Sequence, residues 1–169
     1  MLKHAKSNKK STGFTLIEVV VVMAIISIMT GVIIVSFGSG RTQKELETNA
    51  REFASVIREA QNYALTGREA VADTTPCSFG IAWSGGNYNV SYVYKTGDVC
   101  NQSSIVGSYS LKNGVTFDNA GSFNFSLPHA SLSFTSGSRP AVLTKQSLSH
   151  VVCTYAEGRV TDQPGSACP

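Results

Sequence analysis

From Phe14 to Phe37 the chain reads FTLIEVVVVMAIISIMTGVIIVSF, an apolar run of 24 positions with one charge, Glu18. A helix of that length reaches about 36 Å at about 1.5 Å per residue, against a hydrocarbon thickness of about 30 Å, so the pattern predicts a membrane-spanning helix over 14–37. After the short SFGSG segment the period changes. Leu46, Ala50, Phe53, Ile57, Ala60 and Ala64 recur at alternating steps of four and three, which puts them on one face of an amphipathic helix over 38–67. Glu45, Glu47, Arg51, Glu52, Arg58 and Glu59 lie on the opposite side and read as a solvated face, with Glu47 and Arg51 at the favourable i, i+4 spacing. Gly67 stops this helix, and Gly38 and Gly40 mark where its axis is expected to bend or break.

From Cys77 onward Ser, Gly, Asn, Val, Phe and Tyr alternate in short runs, the signature of strands. CSFGIAW and YNVSYVY flank the turn Ser84, Gly85, Gly86, Asn87, and Tyr88, Val90, Tyr92 and Tyr94 share a face of the second run. IVGSYSL, VTF, SFNFSL, SLSF, AVLTK and LSHVVCTY follow, the last turning at Glu157, Gly158 and Arg159. Seven or eight strands after one long helix predict an α+β fold: a helix whose first half is transmembrane and whose second half packs through Phe53 and Ile57 on a β-rich domain over 68–169, built of one or two small antiparallel sheets.

Charge changes the picture only at the start. Lys3, Lys6, Lys9 and Lys10 precede the apolar run, and without residues 1–13 ten basic residues face eleven acidic ones. That body offers no broad electrostatic footprint for nucleic acid or for an anionic membrane surface. The lysines ahead of the run, against the mixed Arg41, Lys44, Glu45, Glu47 cluster after it, orient residues 1–13 toward the cytoplasm and residue 41 onward outside. Cysteines agree: Cys77, Cys100, Cys153 and Cys168 all follow the run. An even set in an oxidising compartment reads as two disulfides with three possible connectivities, of which nearness in sequence favours Cys77 with Cys100 and Cys153 with Cys168. Zinc is the rival reading, without the close cysteine spacing of a metal knuckle. A cleavable secretory signal is the rival for the first 40 residues, but its apolar core runs only about 7–15 residues.

The basic leader ending in Gly13, followed by FTLIE and the uninterrupted apolar helix, resembles the type IV pilins and type II secretion pseudopilins. The resemblance implies that a prepilin peptidase cuts between Gly13 and Phe14, that Phe14 is then N-methylated, and that Glu18 is required for assembly. It also gives the carboxylate a physical partner, since cleavage creates a terminal amine and an opposite charge makes a buried anion tolerable. Phe14 and Glu18 are i and i+4, so that pair could close within one chain or between staggered chains. The strand-rich half, with SLSFTSGS and the closing LSHVVCTYAEGRV, resembles the GspH/FimT-type minor pseudopilins more loosely.

The expected function is therefore structural: a prepilin polymerised into a type II secretion pseudopilus, as a minor GspH-like subunit. A type IV pilus major or minor pilin, including a FimT-like DNA-uptake subunit, is the alternative. The implied partners are prepilin peptidase, other pilin or pseudopilin subunits, inner-membrane assembly machinery and a secreted substrate. The implied location is the bacterial inner membrane, single-pass, and then the pilus or pseudopilus. No cofactor, metal or catalytic constellation is expected. His129 and His150 lie in a loop and a strand without acid or nucleophile patterning, and both read as structural. Trp83, Tyr88, Tyr92 and Tyr94 could stack bases or sugars, but their alternating spacing favours a sheet core.

Overall fold

The computed structural model describes residues 13–169, and of residues 32–39 the backbone alone. The leader expected over 1–13 lies outside the described residues except for Gly13, and so do the side chains around Gly38. The chain divides between Ser39 and Gly40 into two units. Helix α1, Leu16–Thr66, contributes to both.

In the unit from Gly40 onward, α1 lays one face on two antiparallel sheets. The periodic positions are the buried ones: Leu46, Ala50, Phe53, Ile57, Ala60 and Ala64 are each 0–1% exposed. Gly67 ends the helix with φ of 62°, and the Arg68 N–H donates to the Tyr63 carbonyl at 3.1 Å. That is the 6→1 bond of a Schellman cap, which requires a left-handed residue that glycine adopts without a Cβ clash.

Nine strands follow: β1 Pro76–Ser84, β2 Asn87–Thr96, β3 Val99–Ser110, β4 Thr116–Phe117, β5 Gly121–Ser126, β6 Ser131–Leu132, β7 Ser138–Lys145, β8 Leu148–Tyr155 and β9 Val160–Pro164. Two differences from the sequence reading stand out. Strand β3 begins at Val99, where the polar NQSS stretch lacks alternation, because its register with β2 extends to Thr96↔Val99. Strand β9 adds a strand in the tail, paired with β8 through Cys153↔Thr161. One sheet has the order β3-β2-β1-β5-β6 and the other β4-β7-β8-β9.

Phe53 joins all three layers. Its ring meets Trp83 at 5.8 Å and Tyr88 at 4.9 Å in the five-stranded sheet, and Phe117 at 5.0 Å in the four-stranded one, each edge-on. Trp83, Tyr88 and Tyr92 are buried, so these rings belong to the core and do not form a platform. Burial pushes the Tyr88 phenol up to about 12, with Glu52 and Tyr109 adding to the shift.

The charged side of α1 departs from the solvated reading. Glu45 takes ion pairs from Arg41 at 3.0 Å and from Lys145 of β7, and Lys112 Nζ sits 3.0 Å from Glu52. Arg58 donates to the Val160 carbonyl at 2.9 Å. The cause is width: sheets on both flanks bring their rims to the shoulders of the helix. Asn49, 3% exposed, adds a buried anchor, its Oδ1 accepting the Lys112 N–H at 2.8 Å while its Nδ2 donates to the Glu45 carbonyl at 2.8 Å.

Two disulfides close loops in this unit. Cys77 joins Cys100, tying the start of β1 to β3 across β2, and Cys153 joins Cys168, folding the tail onto the outer face of β8. There Val142, Val151, Cys153 and Tyr155 form a small second cluster against Cys168. Strand β8 is thus covered on both faces, which explains its unbroken run of buried residues from His150 to Tyr155.

Candidate functional site

The segment TLIE starts α1 by itself. Leu16 is the first helical residue, and Thr15 before it accepts the Glu18 N–H, through its carbonyl at 3.1 Å and through Oγ1 at 3.4 Å. A threonine cap with glutamate three residues on is the capping-box pattern, which satisfies helix N–H groups that have no intrahelical acceptor. Glu18 also lies in the first turn, where the helix dipole favours an anion by about 0.3–1 kcal/mol. This local role was available in the sequence as a [ST]-x-x-[DE] signal ahead of an apolar run, and the reading of Glu18 as a membrane charge passed over it.

Phe14 stands one residue before the cap and is 84% exposed. It lies on one side of the helix together with Glu18, Val19, Val22, Met23 and Ile26, so the i, i+4 pair shares a face. Gly13 precedes it without a steric reason to be glycine. A Cβ there would meet nothing within 4 Å among the described residues.

Farther along, the large apolar side chains from Phe14 to Met29 are all exposed, from 46% at Val19 to 84% at Phe14. Two hydroxyls past the first turn are satisfied inside the helix: Ser27 Oγ donates to the Met23 carbonyl at 2.8 Å and Thr30 Oγ1 to the Ile26 carbonyl at 2.7 Å. Such a helix surface asks nothing of water. Among the described residues no helix is both long and apolar enough to cross a membrane; the expected span of 14–37 extends into the segment whose side chains are not described.

In the second unit the histidine with an acidic neighbour in space is His150, whose flanking sequence shows no such patterning. Its Nε2 lies 3.4 Å from Asp162 Oδ2, without hydrogen-bonding geometry, and Arg51 Nε lies 3.9 Å from the same oxygen. The β8–β9 pairing brings Asp162 there, a strand not foreseen from the sequence. With Gln43, Glu47 and Pro164 these residues line a cavity of about 320 Å³. None of them is a nucleophile of the hydroxyl or thiol kind, and the group ties β8 and β9 to α1. His129 is exposed in the turn after β5. All four cysteines are in disulfides, and among the described residues no three His, Cys, Asp or Glu side chains converge as metal ligands.

One comparison with known proteins is placed within the first unit. Residues 8–34 match the family described as the prokaryotic N-terminal methylation motif. Over 49 residues, 29% of this chain, it is 45% identical to the type II secretion system protein H of Pseudomonas aeruginosa, covering 28% of that protein. Over 56 residues, 33% of this chain, it is 32% identical to the type II secretion system protein H of Aeromonas hydrophila, covering 31% of it. The chain thus matches less than a third of the length of these curated relatives. No solved structure matches it significantly.

Proposed function

We propose that this chain is a prepilin that becomes a minor, protein H-like subunit of a type II secretion pseudopilus. The observation that carries the reading is the match of residues 8–34 to the N-terminal methylation motif, which contains Gly13, Phe14 and Glu18. The two relatives named as protein H of this secretion system support the choice of machine.

Residues 1–13 are then the leader, removed by a prepilin peptidase that cuts between Gly13 and Phe14. Cleavage leaves a new amine on Phe14, the residue to be methylated, one helical turn from the Glu18 carboxylate. The helix over 14–37 holds the subunit in the inner membrane, with the leader cytoplasmic and the unit from Gly40 outside. The hydroxyls of Ser27 and Thr30, bonded inside the helix, and the exposed apolar side chains from Val19 to Met29 suit first lipid and then the helices of neighbouring subunits. The chain performs no catalysis in this reading. It exchanges lipid contact for subunit contact, while the outer unit meets other subunits or a secreted substrate.

Glu18 acquires two tasks that one experiment separates. As an acidic residue at the N3 position after Thr15 it suits the first helical turn; as an assembly charge it meets a Phe14 amine. Glu18→Gln keeps a side chain able to accept the cap bond and removes the charge. Mass spectrometry of the chain recovered from membranes containing prepilin peptidase is expected to show Phe14 as a methylated N-terminus, for both wild type and Glu18→Gln. Filament incorporation is expected to fail in the variant. A chain that still begins at Met1 in the wild type would refute the prepilin reading, and normal incorporation of Glu18→Gln would refute the charge pair.

A further inference from the structure

The two disulfides differ in what each one holds. Cys77–Cys100 joins β1 to β3, and both strands are bound to β2 along most of their length, so the sheet keeps its order without that bond. Cys153–Cys168 holds a segment that has no ladder of its own. After β9 the Gly165 N–H donates to the Ser149 carbonyl at 3.0 Å, and the tail then turns back over β8 until Cys168 meets Cys153. Among the described residues, the other hydrogen bond of residues 165–169 is the one that Gln163 Nε2 donates to the Ala167 carbonyl at 3.0 Å. Two hydrogen bonds and one covalent bond fix the tail.

Beneath the tail lies the small cluster of Val142, Val151, Cys153 and Tyr155, against which Cys168 packs. Alternation along β8 and the pairing of Cys153 with Thr161 put Val151, Cys153, Tyr155 and Thr161 on one side, opposite Val152, which joins the main core. Two polar atoms on that side are buried without a hydrogen bond, Tyr155 Oη and Thr161 Oγ1. An unpaired buried polar atom favours any state that lets water reach it. Apolar contact opposes such an opening, but of the tail's apolar residues only Cys168 packs on the cluster, while Ala167 and Pro169 are exposed. The closed cover therefore depends on its covalent bond more than on its contacts.

We propose that Cys153–Cys168 is a redox-operated clasp: a dithiol oxidoreductase reduces it in the folded protein, the tail lifts, and the outer face of β8 opens while α1 and both sheets stay folded. Thiol exchange requires access to the sulfur under attack. Cys153 is wholly buried and Cys168 partly exposed, so attack falls on Cys168. A thiolate of the reductant bonds to Cys168 Sγ, and the electron pair of the broken S–S bond leaves on Cys153 Sγ, which takes up a proton. The reductant's second thiolate then attacks the reductant's own sulfur in the mixed disulfide and releases Cys168, which is protonated in turn. Two electrons pass to the cysteine pair, and the dithiol becomes a disulfide. This inference rests on the outer unit alone and does not require cleavage after Gly13.

The test uses the full chain in mild detergent, with peptide mass spectrometry to locate each modified cysteine. Under glutathione, with free thiols trapped by iodoacetamide, Cys168 is expected to carry glutathione and Cys153 the alkyl group. After dithiothreitol, Cys153 is expected to be alkylated within roughly tenfold of the rate at Cys168, because local release of the tail uncovers it. That rate should not change with urea below the unfolding transition, and the fluorescence of Trp83 should stay native throughout. Glutathione found on Cys153, a reduced Cys153 that stays closed to iodoacetamide, or an alkylation rate that climbs with urea in step with the Trp83 signal would each overturn the proposal. A chain that meets these expectations but still begins at Met1 in membranes containing prepilin peptidase would refute the prepilin reading and leave this one standing.

Discussion

Truncating Phe53 to alanine tests how the helix is held on the two sheets. The ring is wholly buried and has aromatic partners from both sheets, Trp83 and Tyr88 on one side and Phe117 on the other, at centroid distances of 4.9–5.8 Å. Burying such a side chain contributes about 1.5–3 kcal/mol by area, and the cavity left on truncation raises the usual cost to about 3–5 kcal/mol. Rigid rings on three sides cannot collapse into the space, so the upper half of that range applies, about 4–5 kcal/mol. A domain of ordinary stability, about 5–15 kcal/mol, would lose about a quarter of it or more. The measurement is urea unfolding of the full chain in mild detergent, followed by the fluorescence of Trp83, the only tryptophan and itself a partner of the deleted ring. With a slope of about 2 kcal/mol per molar urea the midpoint should fall by about 2 M. Phe53→Leu, which fills most of the volume, should cost well under half as much. A loss below about 1.5 kcal/mol for Phe53→Ala, or equal losses for the two variants, would refute the view that this ring is the junction of the three layers.

Three further outcomes follow from the same structure. Asn49→Leu deprives the Lys112 N–H of its buried acceptor and should cost about 1–3 kcal/mol in the same unfolding assay, whereas Asn62, exposed on the same helix, should tolerate the change within about 0.5 kcal/mol. Replacing Cys153 and Cys168 together by alanine opens a link across 15 residues and should lower stability by about 3 kcal/mol; a change under about 1 kcal/mol would mean the tail holds its place on β8 without the bond. The hydrogen bond from Lys145, and next that from Arg41, holds the Glu45 carboxyl below its ordinary value of 4.5. A carboxylate lowered on folding stabilises the native state above its ordinary pKa, and that contribution disappears as pH falls through 4.5 toward the lowered value. Lys145→Met should therefore be less stable than wild type at neutral pH, with the gap closing in acid; a gap that persists or widens below pH 4.5 would contradict the pairing.

Much of this protein is legible along the chain because it depends on local periodicity. The steps of four and three from Leu46 to Ala64 name the buried helix face, since side chains spaced that way meet on one side of any α-helix, whatever they pack against. The alternation of Tyr88, Val90 and Tyr92 names the inner face of β2 for the same kind of reason. The threonine cap at Thr15, which accepts the Glu18 N–H, is local too and readable in TLIE.

Tertiary structure decided what depends on residues far apart in sequence. Lys145 reaches Glu45 across 100 positions, and Lys112 reaches Asn49 across 63, so no window of sequence shows that the charged side of α1 is gripped by the sheet rims. Asp162 meets His150 only because β9 returns beside β8. The open edge of β3 is a property of strand order: the residues of β3 are uncharged in any arrangement, but only the order β3-β2-β1-β5-β6 puts them on the outside. Periodicity states which side of an element turns inward, because it is fixed by the geometry of one backbone. Which elements become neighbours, and which edges remain without one, is settled by the packing of the whole chain.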